Sequence, residues 1–436
     1  MAKYTNKDVF TLSSVSVILC ECFYNLVCIF VDTFLISRIL SITDYNIYYI
    51  GLFYFSMFAV RFFLSWAVNY IIKKIKLNYF VTIGAVLMIA LVMSVYFLDD
   101  ASLISYIPLL GAAYSVGSAF FWTGQTNLAT VAVSSRYQVR FFTVKRTAVI
   151  AVKAIAPVLL GSAIAGVGAE GFKIVAILMA VFTILLFVFS FFVKQNKKFT
   201  MTFKFFPYIK KVYKERKNLK LLTTCYLTAF FNGFAITLYT TLFTYLIAEN
   251  FKSDFYLGTI KTVVTAVSLL GMFSFLKTYR KRHAKWYTFA PMILIPLAGI
   301  VMMCFTNSWT VIIFFAVYNI LTVNLTSLVD MRRAGIIRLL DMHEHILEHN
   351  AVFEVVLDFS RILGFAGFML VGALHSRIAL YVLISVMAVC TIVYCYLLYK
   401  TEKLLIEQDK EWKKTHVAVS DSTSPIEKQE AKAESK

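Results

Sequence analysis

Ionisable residues lie inside long apolar runs of this 436-residue chain, among them Glu21, Asp32, Arg61, Lys153, Lys261, Glu354, Asp358 and Arg361. A charge at the centre of a bilayer costs at least ~2.5 kcal/mol and by default marks a paired or working site. The chemistry these residues offer is ion pairing, proton binding and capture of a charged solute. Glu21, Asn25, Cys28 and Asp32 follow i, i+4, i+7, i+11 spacing and form one stripe on a helix. Tyr54, Phe58, Arg61 and Ser65 form a second, Thr228, Asn232 and Tyr239 a third, and Glu354, Asp358 and Arg361 a fourth. Such stripes suit a shared aqueous interior, although Ser, Thr and Asn also serve simply to join neighbouring helices.

Depth along the helices predicts partners. Counted from their helix midpoints, Glu21 and Arg61 are offset by roughly 4 to 5 Å at ~1.5 Å per residue. A Glu21–Arg61 salt bridge is therefore expected if the first two helices face each other, and Asp358 and Arg361 form an i, i+3 pair. A Glu21 whose Arg61 partner swings away would bind and release a proton. In Phe120–Gly124, FFWTG, followed by Gln125 and Asn127, Trp122 either walls a solute cavity or packs with a satisfied indole. The segment HEHILEH, His343 to His349, is not H-E-x-x-H, because Leu347 stands where the second His belongs. It reads as an exposed polar lead-in to a helix, and neither a metal nor a cofactor is expected.

The elements that must position these residues follow from composition. With 60% hydrophobic residues and a mean hydropathy of +0.74, the chain carries more apolar surface than a soluble protein can bury, whereas lipid accepts it. An all-α membrane protein follows, with about 20 apolar residues needed per crossing. Twelve spans are expected: Ser14 to Ile39, Tyr45 to Ile72, Leu77 to Leu98, Ile104 to Val131, Phe141 to Gly166 and Gly171 to Val193, then Leu221 to Ala248, Phe255 to Leu276, Trp286 to Phe305, Trp309 to Val329, Asn350 to Leu374 and Ile378 to Tyr399. Between the two sets lies Lys194 to Lys220, with ten Lys or Arg against one Glu. This divides the chain into bundles over 1–193 and 221–400, a basic linker over 194–220 and a tail over 401–436. The tail is too polar to bury much surface and is expected to fray from a helical extension into disorder.

Most of the 43 basic residues fall in the termini, the linker and every second loop. The positive-inside rule then places both termini in the cytoplasm of a plasma-membrane protein. The same asymmetry accounts for the net charge of +19 without nucleic acid. Cys20, Cys22, Cys28, Cys225, Cys304, Cys390 and Cys395 all lie in apolar segments and read as small hydrophobes. The first run lacks a small-residue cleavage site and is expected to be a retained span.

The halves resemble each other beyond their span count. Span five carries Lys153 and span eleven carries Arg361 at nearly the same depth, and both halves have a short basic loop after their second span. Two similar halves around a midplane site are a recurring plan of secondary transporters.

Twelve spans, a basic central linker and repeated short basic loops resemble the major facilitator superfamily. That family's loop signature after span two is Gly-x-x-x-Asp-Arg-x-Gly-Arg-Arg. Here Ser65 and Asn69 stand at the first Gly and the Asp, Tyr70 and Ile72 at the next Arg and Gly, and Lys73 and Lys74 at the final basic pair. The resemblance makes Asn69, Lys73 and Lys74 gating-loop candidates, with a neutral residue where the family carries its gating charge. AVKAIAPVLLG in span five keeps the Pro157 and Gly161 of the drug-proton antiporter branch but has Val152 and Ala156 where that branch has glycine. The resemblance implies two pseudo-symmetric six-helix bundles that work by alternating access.

The expected function is secondary active transport of a small solute with a proton gradient as the driving force. Glu21, Asn25, Asp32, Arg61, Trp122, Gln125, Lys153, Asn232, Lys261, Asp358 and Arg361 are the candidate binding and coupling residues. The expected partners are that solute, protons and membrane lipids, and the protein is expected to be a monomer. Alternatives are a drug or lipid exporter of the same fold, or a membrane-embedded transferase whose only acid and histidine cluster is HEHILEH.

Overall fold

The computed structural model describes residues 11–72, 74–131, 138–193, 203–214, 216–278, 285–305, 307–340 and 345–422. These are almost entirely helical and contain no strand among the described residues. Helix is the form in which a single segment satisfies its own backbone in hydrocarbon. Eleven helices among the described residues are long and apolar enough to cross a membrane. The 25-residue helix Ile107–Val131 packs between spans two and three and completes a set of twelve. The protein is a multi-pass membrane protein.

Span one covers Leu12–Ile42, span two Ile47–Ile71 and span three Leu77–Phe97. Span four is Ile107–Val131, span five Gln138–Val167 and span six Gly171–Phe192. A short helix, Phe205–Lys214, occupies part of the linker. Span seven runs through Arg216–Asn232, Gly233–Thr237 and Leu238–Phe251, and span eight is Asp254–Thr278. Spans nine to twelve are Trp286–Cys304, Ser308–Leu339, Ile346–Leu374 and Arg377–Ser422.

Several helices run past the apolar limits read from sequence. Span ten continues to Leu339 because Arg332 is buried there, donating to the Leu398 carbonyl (2.6 Å) and to Glu402 (2.8 Å) on span twelve. Span twelve is helical to Ser422, with Thr401 buried. The disorder expected for the tail concerns residues 423–436, which lie outside the described residues. Residues 194–202 of the linker and Lys73 also lie outside them.

Neighbour relations reveal the repeat. In the first half span two packs on four, three on four, three on six, one on six and one on five. In the second half eight packs on ten, nine on ten, nine on twelve, seven on twelve and seven on eleven. Adding six to each span number converts one list into the other. The halves meet along spans two and eleven and along spans five and eight, two seams that the same operation exchanges.

The repeat extends to local geometry. Span one is interrupted by the π-helical segment Phe30–Leu35, and its counterpart, span seven, by Gly233–Thr237. A π segment widens one turn and is frequent at functional sites. Lys153 and Arg361 are each the sixteenth residue of their helices.

Both seams close tightly at the end of the molecule opposite the basic loops. A Cβ added to Gly372 of span eleven would overlap the backbone nitrogen of Tyr48 in span two, and one on Gly258 of span eight would overlap the Pro157 carbonyl of span five. Small residues allow such backbone approach where helices pack in lipid. Beside Pro157, the Val158 amide donates to Thr262 Oγ1 of the other half (3.1 Å).

Candidate functional site

The interior charges sort by whether their partners lie in the same half or across a seam. Glu21, on span one, sits wholly within the first half. Its carboxylate accepts from Lys145 Nζ of span five (2.8 Å) and Gln125 Nε2 of span four (3.0 Å). Gln125 also donates to the Val17 carbonyl (2.7 Å), and Asn25 to the Glu21 carbonyl (2.7 Å). The expected Glu21–Arg61 bridge is not formed. Spans one and two do not face each other closely there, and span five delivers a nearer cation. Lys145 stands one turn inside the span expected from Phe141, yet by composition it reads as part of a basic loop.

Asp32 lies in the π segment of span one. It accepts from the Tyr54 hydroxyl of span two and the Tyr114 hydroxyl of span four, each at 3.2 Å. Beside it, Lys261 of span eight crosses between the halves and donates to Thr33 Oγ1 (2.8 Å). Lys261 and Lys153 both lie close enough to interact electrostatically with Asp32. Lys153 is exposed although it stands at mid-helix. Two cations, one from each half, face one carboxylate.

The largest charge group bridges the seam between spans two and eleven. Arg61 reaches Glu354 at 3.3 Å and Asp358 at 3.4 Å. Asp358 is fully buried and also accepts from Arg361 (2.8 Å). Arg361 donates in turn to Thr237 Oγ1 of the span-seven π segment (2.9 Å) and lies over the Phe58 ring (4.9 Å). Arg333 of span ten approaches Glu354 at 3.9 Å and donates to Asn350 (2.7 Å). The pseudo-symmetry is therefore chemical as well as topological: in each half the basic residue of span five or eleven faces the π segment of span one or seven. Sequence spacing identified Asp358 with Arg361, but nothing local in the sequence marks Thr237 as a companion of Arg361 or Tyr114 as a companion of Asp32.

Other candidates lie apart from these groups. Trp122 is half-buried and edge-on to Tyr24 (5.6 Å) and Phe121 (5.4 Å), a packing position within the first half. Asn232 is half-buried at the start of the span-seven π segment. Asn69 donates to the Ser65 carbonyl of its own helix (2.7 Å), and Lys74 lies over the Tyr70 ring (5.8 Å).

His343 and Glu344 of the HEHILEH segment lie outside the described residues, and the rest of it departs from expectation. Glu348 and His349 are fully buried in the first turns of span eleven instead of lining an exposed lead-in. The linker and span seven cover them: the Lys204 amide donates to Glu348, and His349 Nδ1 meets the Tyr226 hydroxyl of span seven at 3.0 Å and the Tyr208 hydroxyl of the linker helix at 3.3 Å. Burial pushes the Tyr208 phenol up to about 12, so it remains a neutral partner. Among the described residues no three His, Cys, Asp or Glu come together as a metal site.

A cavity of about 930 Å³ opens at the end opposite the basic loops, bounded by the turns between spans one and two, seven and eight, and eleven and twelve. It lies outside the closed seams and holds none of the interior charges described above.

No protein-family model matches the sequence, and no curated protein matches it. Solved structures do match in fold. A bacterial homologue of the iron transporter ferroportin in an inward-facing state superposes with a TM-score of 0.67 at 13% identity, covering 92% of this chain and 100% of that one. A bacterial ferroportin homologue in an outward-facing state gives 0.60 at 12% identity, covering 90% and 98%. A structure from work on proton-dependent oligopeptide transporters gives 0.66 at 13% identity, covering 91% and 99%. The fold is that of these solved structures, two pseudo-symmetric bundles of membrane-spanning helices.

Proposed function

We propose that this chain is a secondary transporter in which the two halves rock around a central site, moving a small anionic or zwitterionic solute in exchange for, or together with, protons. The observation that carries the reading is Arg61 of one half bound to Glu354 and Asp358 of the other. An ion pair across a seam that opens and closes has different partners in the two states, and a carboxylate that loses its guanidinium takes up a proton more readily. Glu354 and Asp358 are thus the coupling groups. Glu21, whose partners all move with it, is a structural one.

Solute recognition falls to the surroundings of Asp32, where Lys153 and Lys261 outnumber the single carboxylate. A carboxylate- or phosphate-bearing solute is attracted there, and the two tyrosine hydroxyls hold Asp32 in place. Because Lys261 comes from the other half, solute held against both lysines senses the rocking. The basic end faces the cytoplasm by the positive-inside rule, and the glycine-packed opposite end makes this conformation closed to the outside. The better superposition on the inward-facing than on the outward-facing homologue supports that reading.

The test begins with a thermal-shift screen of detergent-purified protein against metabolites, since a ligand that binds the folded state raises its stability. Uptake of the best binder into proteoliposomes under an imposed pH gradient follows. Lys153→Gln and Arg361→Gln should leave insertion intact and reduce uptake at least ten-fold. Full uptake by both variants would refute the central site.

A further inference from the structure

Across the mouth of the cavity at the end opposite the basic loops, one hydrogen bond joins the two halves: Asn46 of the first and His375 of the second lie 3.2 Å apart, Nδ2 to Nε2. The protonation this contact requires is set by the groups around it. Asn46 is the N-cap of span two, and its Oδ1 accepts from the Tyr48 amide (2.9 Å). The amide is thereby oriented, and Nδ2, a donor, faces the imidazole. His375 Nδ1 lies 3.1 Å from the Ala373 carbonyl, which can only accept, so Nδ1 carries the proton. Nε2 must then be the bare acceptor, and the contact exists only with neutral imidazole. An imidazolium would set an N–H donor against an N–H donor.

The surroundings concentrate strain at the same place. Asp44, Tyr45, Lys252 and His375 are the non-glycine residues with positive φ among those described, at +50°, +56°, +48° and +49°. All four line this cavity. Such conformations persist where surrounding structure holds them and cluster at switch regions. His375 and Lys252 terminate spans eleven and seven, and Lys252 Nζ lies over the Tyr45 ring at 5.4 Å, a second contact between the halves.

We propose that the Asn46–His375 contact is a proton-sensitive latch: it holds this end closed when His375 is neutral and releases it when His375 is protonated. The inference rests on the two halves separating at this end, as the transport reading requires. Histidine is the side chain whose ordinary titration range spans mildly acidic to neutral pH. The charged and titratable groups sharing the cavity are Asp44, Tyr45 and Tyr49 from spans one and two and their turn, Tyr245, Glu249 and Lys252 from span seven, and Arg377 and Tyr381 beyond His375. None of them occupies the Asn46–His375 contact. Acidity on this side would then bias the protein towards opening to it, loading the transporter from the side where protons are abundant.

The test uses the full chain without its native cysteines, spin-labelled at Ser41→Cys and Ile378→Cys, in liposomes between pH 5 and 8. The share of the long-distance, open population should rise about three- to ten-fold on acidification. His375→Phe should abolish that pH dependence. The decisive variant is Asn46→Asp, which keeps an oxygen for the Tyr48 amide and presents a second acceptor to the ring. It should reverse the dependence, closing this end at low pH because imidazolium now has an acceptor. An open population that is pH-independent in the parent chain, or that rises on acidification in Asn46→Asp as it does in the parent, overturns the latch alone. The absence of an open population in every variant at every pH overturns the latch and the rocking of the halves together.

Discussion

Glu21 and Lys145 stand 2.8 Å apart with side chains only 9% and 14% exposed, and every partner of either belongs to the first half. Removing one member of such a buried pair leaves the other uncompensated, at about 3–5 kcal/mol. Glu21→Gln should accordingly lower the thermal midpoint of the purified protein, and Glu21→Gln with Lys145→Met should recover most of the loss. Whatever folded protein remains should still accumulate solute under a pH gradient, since no contact across a seam has changed. Arg61→Gln should behave in the opposite sense, with gradient-driven uptake falling ten-fold or more while exchange down a solute gradient persists. A Glu21→Gln variant that is stable but uncoupled would return the proton role to Glu21. The sequence showed which side chains are too costly to leave unpaired; it did not show which cation each carboxylate meets.

At the scale of elements, the π segments of spans one and seven place Asp32 and Thr237 before the basic residues of spans five and eleven. Gly233 opens the second of them at the point where span seven touches span eleven. A Cβ there would run into Ser360 Oγ and approach the Leu357 carbonyl at 3.1 Å. Gly233→Ala should therefore push the two helices apart, at a cost of about 1–3 kcal/mol for overpacking, and draw Thr237 away from Arg361. Adding Ser360→Gly, which removes the obstructing hydroxyl, should restore the thermal midpoint. No recovery in the double variant would show that Gly233 is needed for its backbone rather than for the contact. Helix existence and approximate bounds were legible from apolar length, because hydrocarbon demands a continuous apolar helix. The π interruptions were not, since nothing in the composition of Phe30–Leu35 or Gly233–Thr237 records how one turn is wound.

For the whole molecule, the halves meet along spans two and eleven and spans five and eight, the seams that part in the proposed transport cycle. Gly258 and Gly161 bring span eight against span five at the closed end, where a side chain on Gly258 would meet the Pro157 backbone. Gly258→Val cannot be relieved by rotating a side chain, so it should hold that end open. Labels at Val167 and Tyr256, beyond the closed contact, should report a longer separation in the variant than in the parent chain at pH 8. An unchanged distance would show that the close approach is not what shuts this end.

The crossings, their grouping into two halves and the gathering of the basic loops at one end could be read from the chain alone, because a membrane imposes a one-dimensional constraint on apolar length and loop charge. So could the stripe of Glu354, Asp358 and Arg361, since helical periodicity alone puts them on one face. The tertiary structure decided that Arg61 binds across the seam while Glu21 is satisfied within its half, that His349 is buried beneath the linker helix and span seven, and that glycines close the end opposite the basic loops. Each of these depends on which helices are neighbours and how each is rotated about its axis, and in lipid that is set by close backbone packing and polar pairing between distant segments, which no local pattern records.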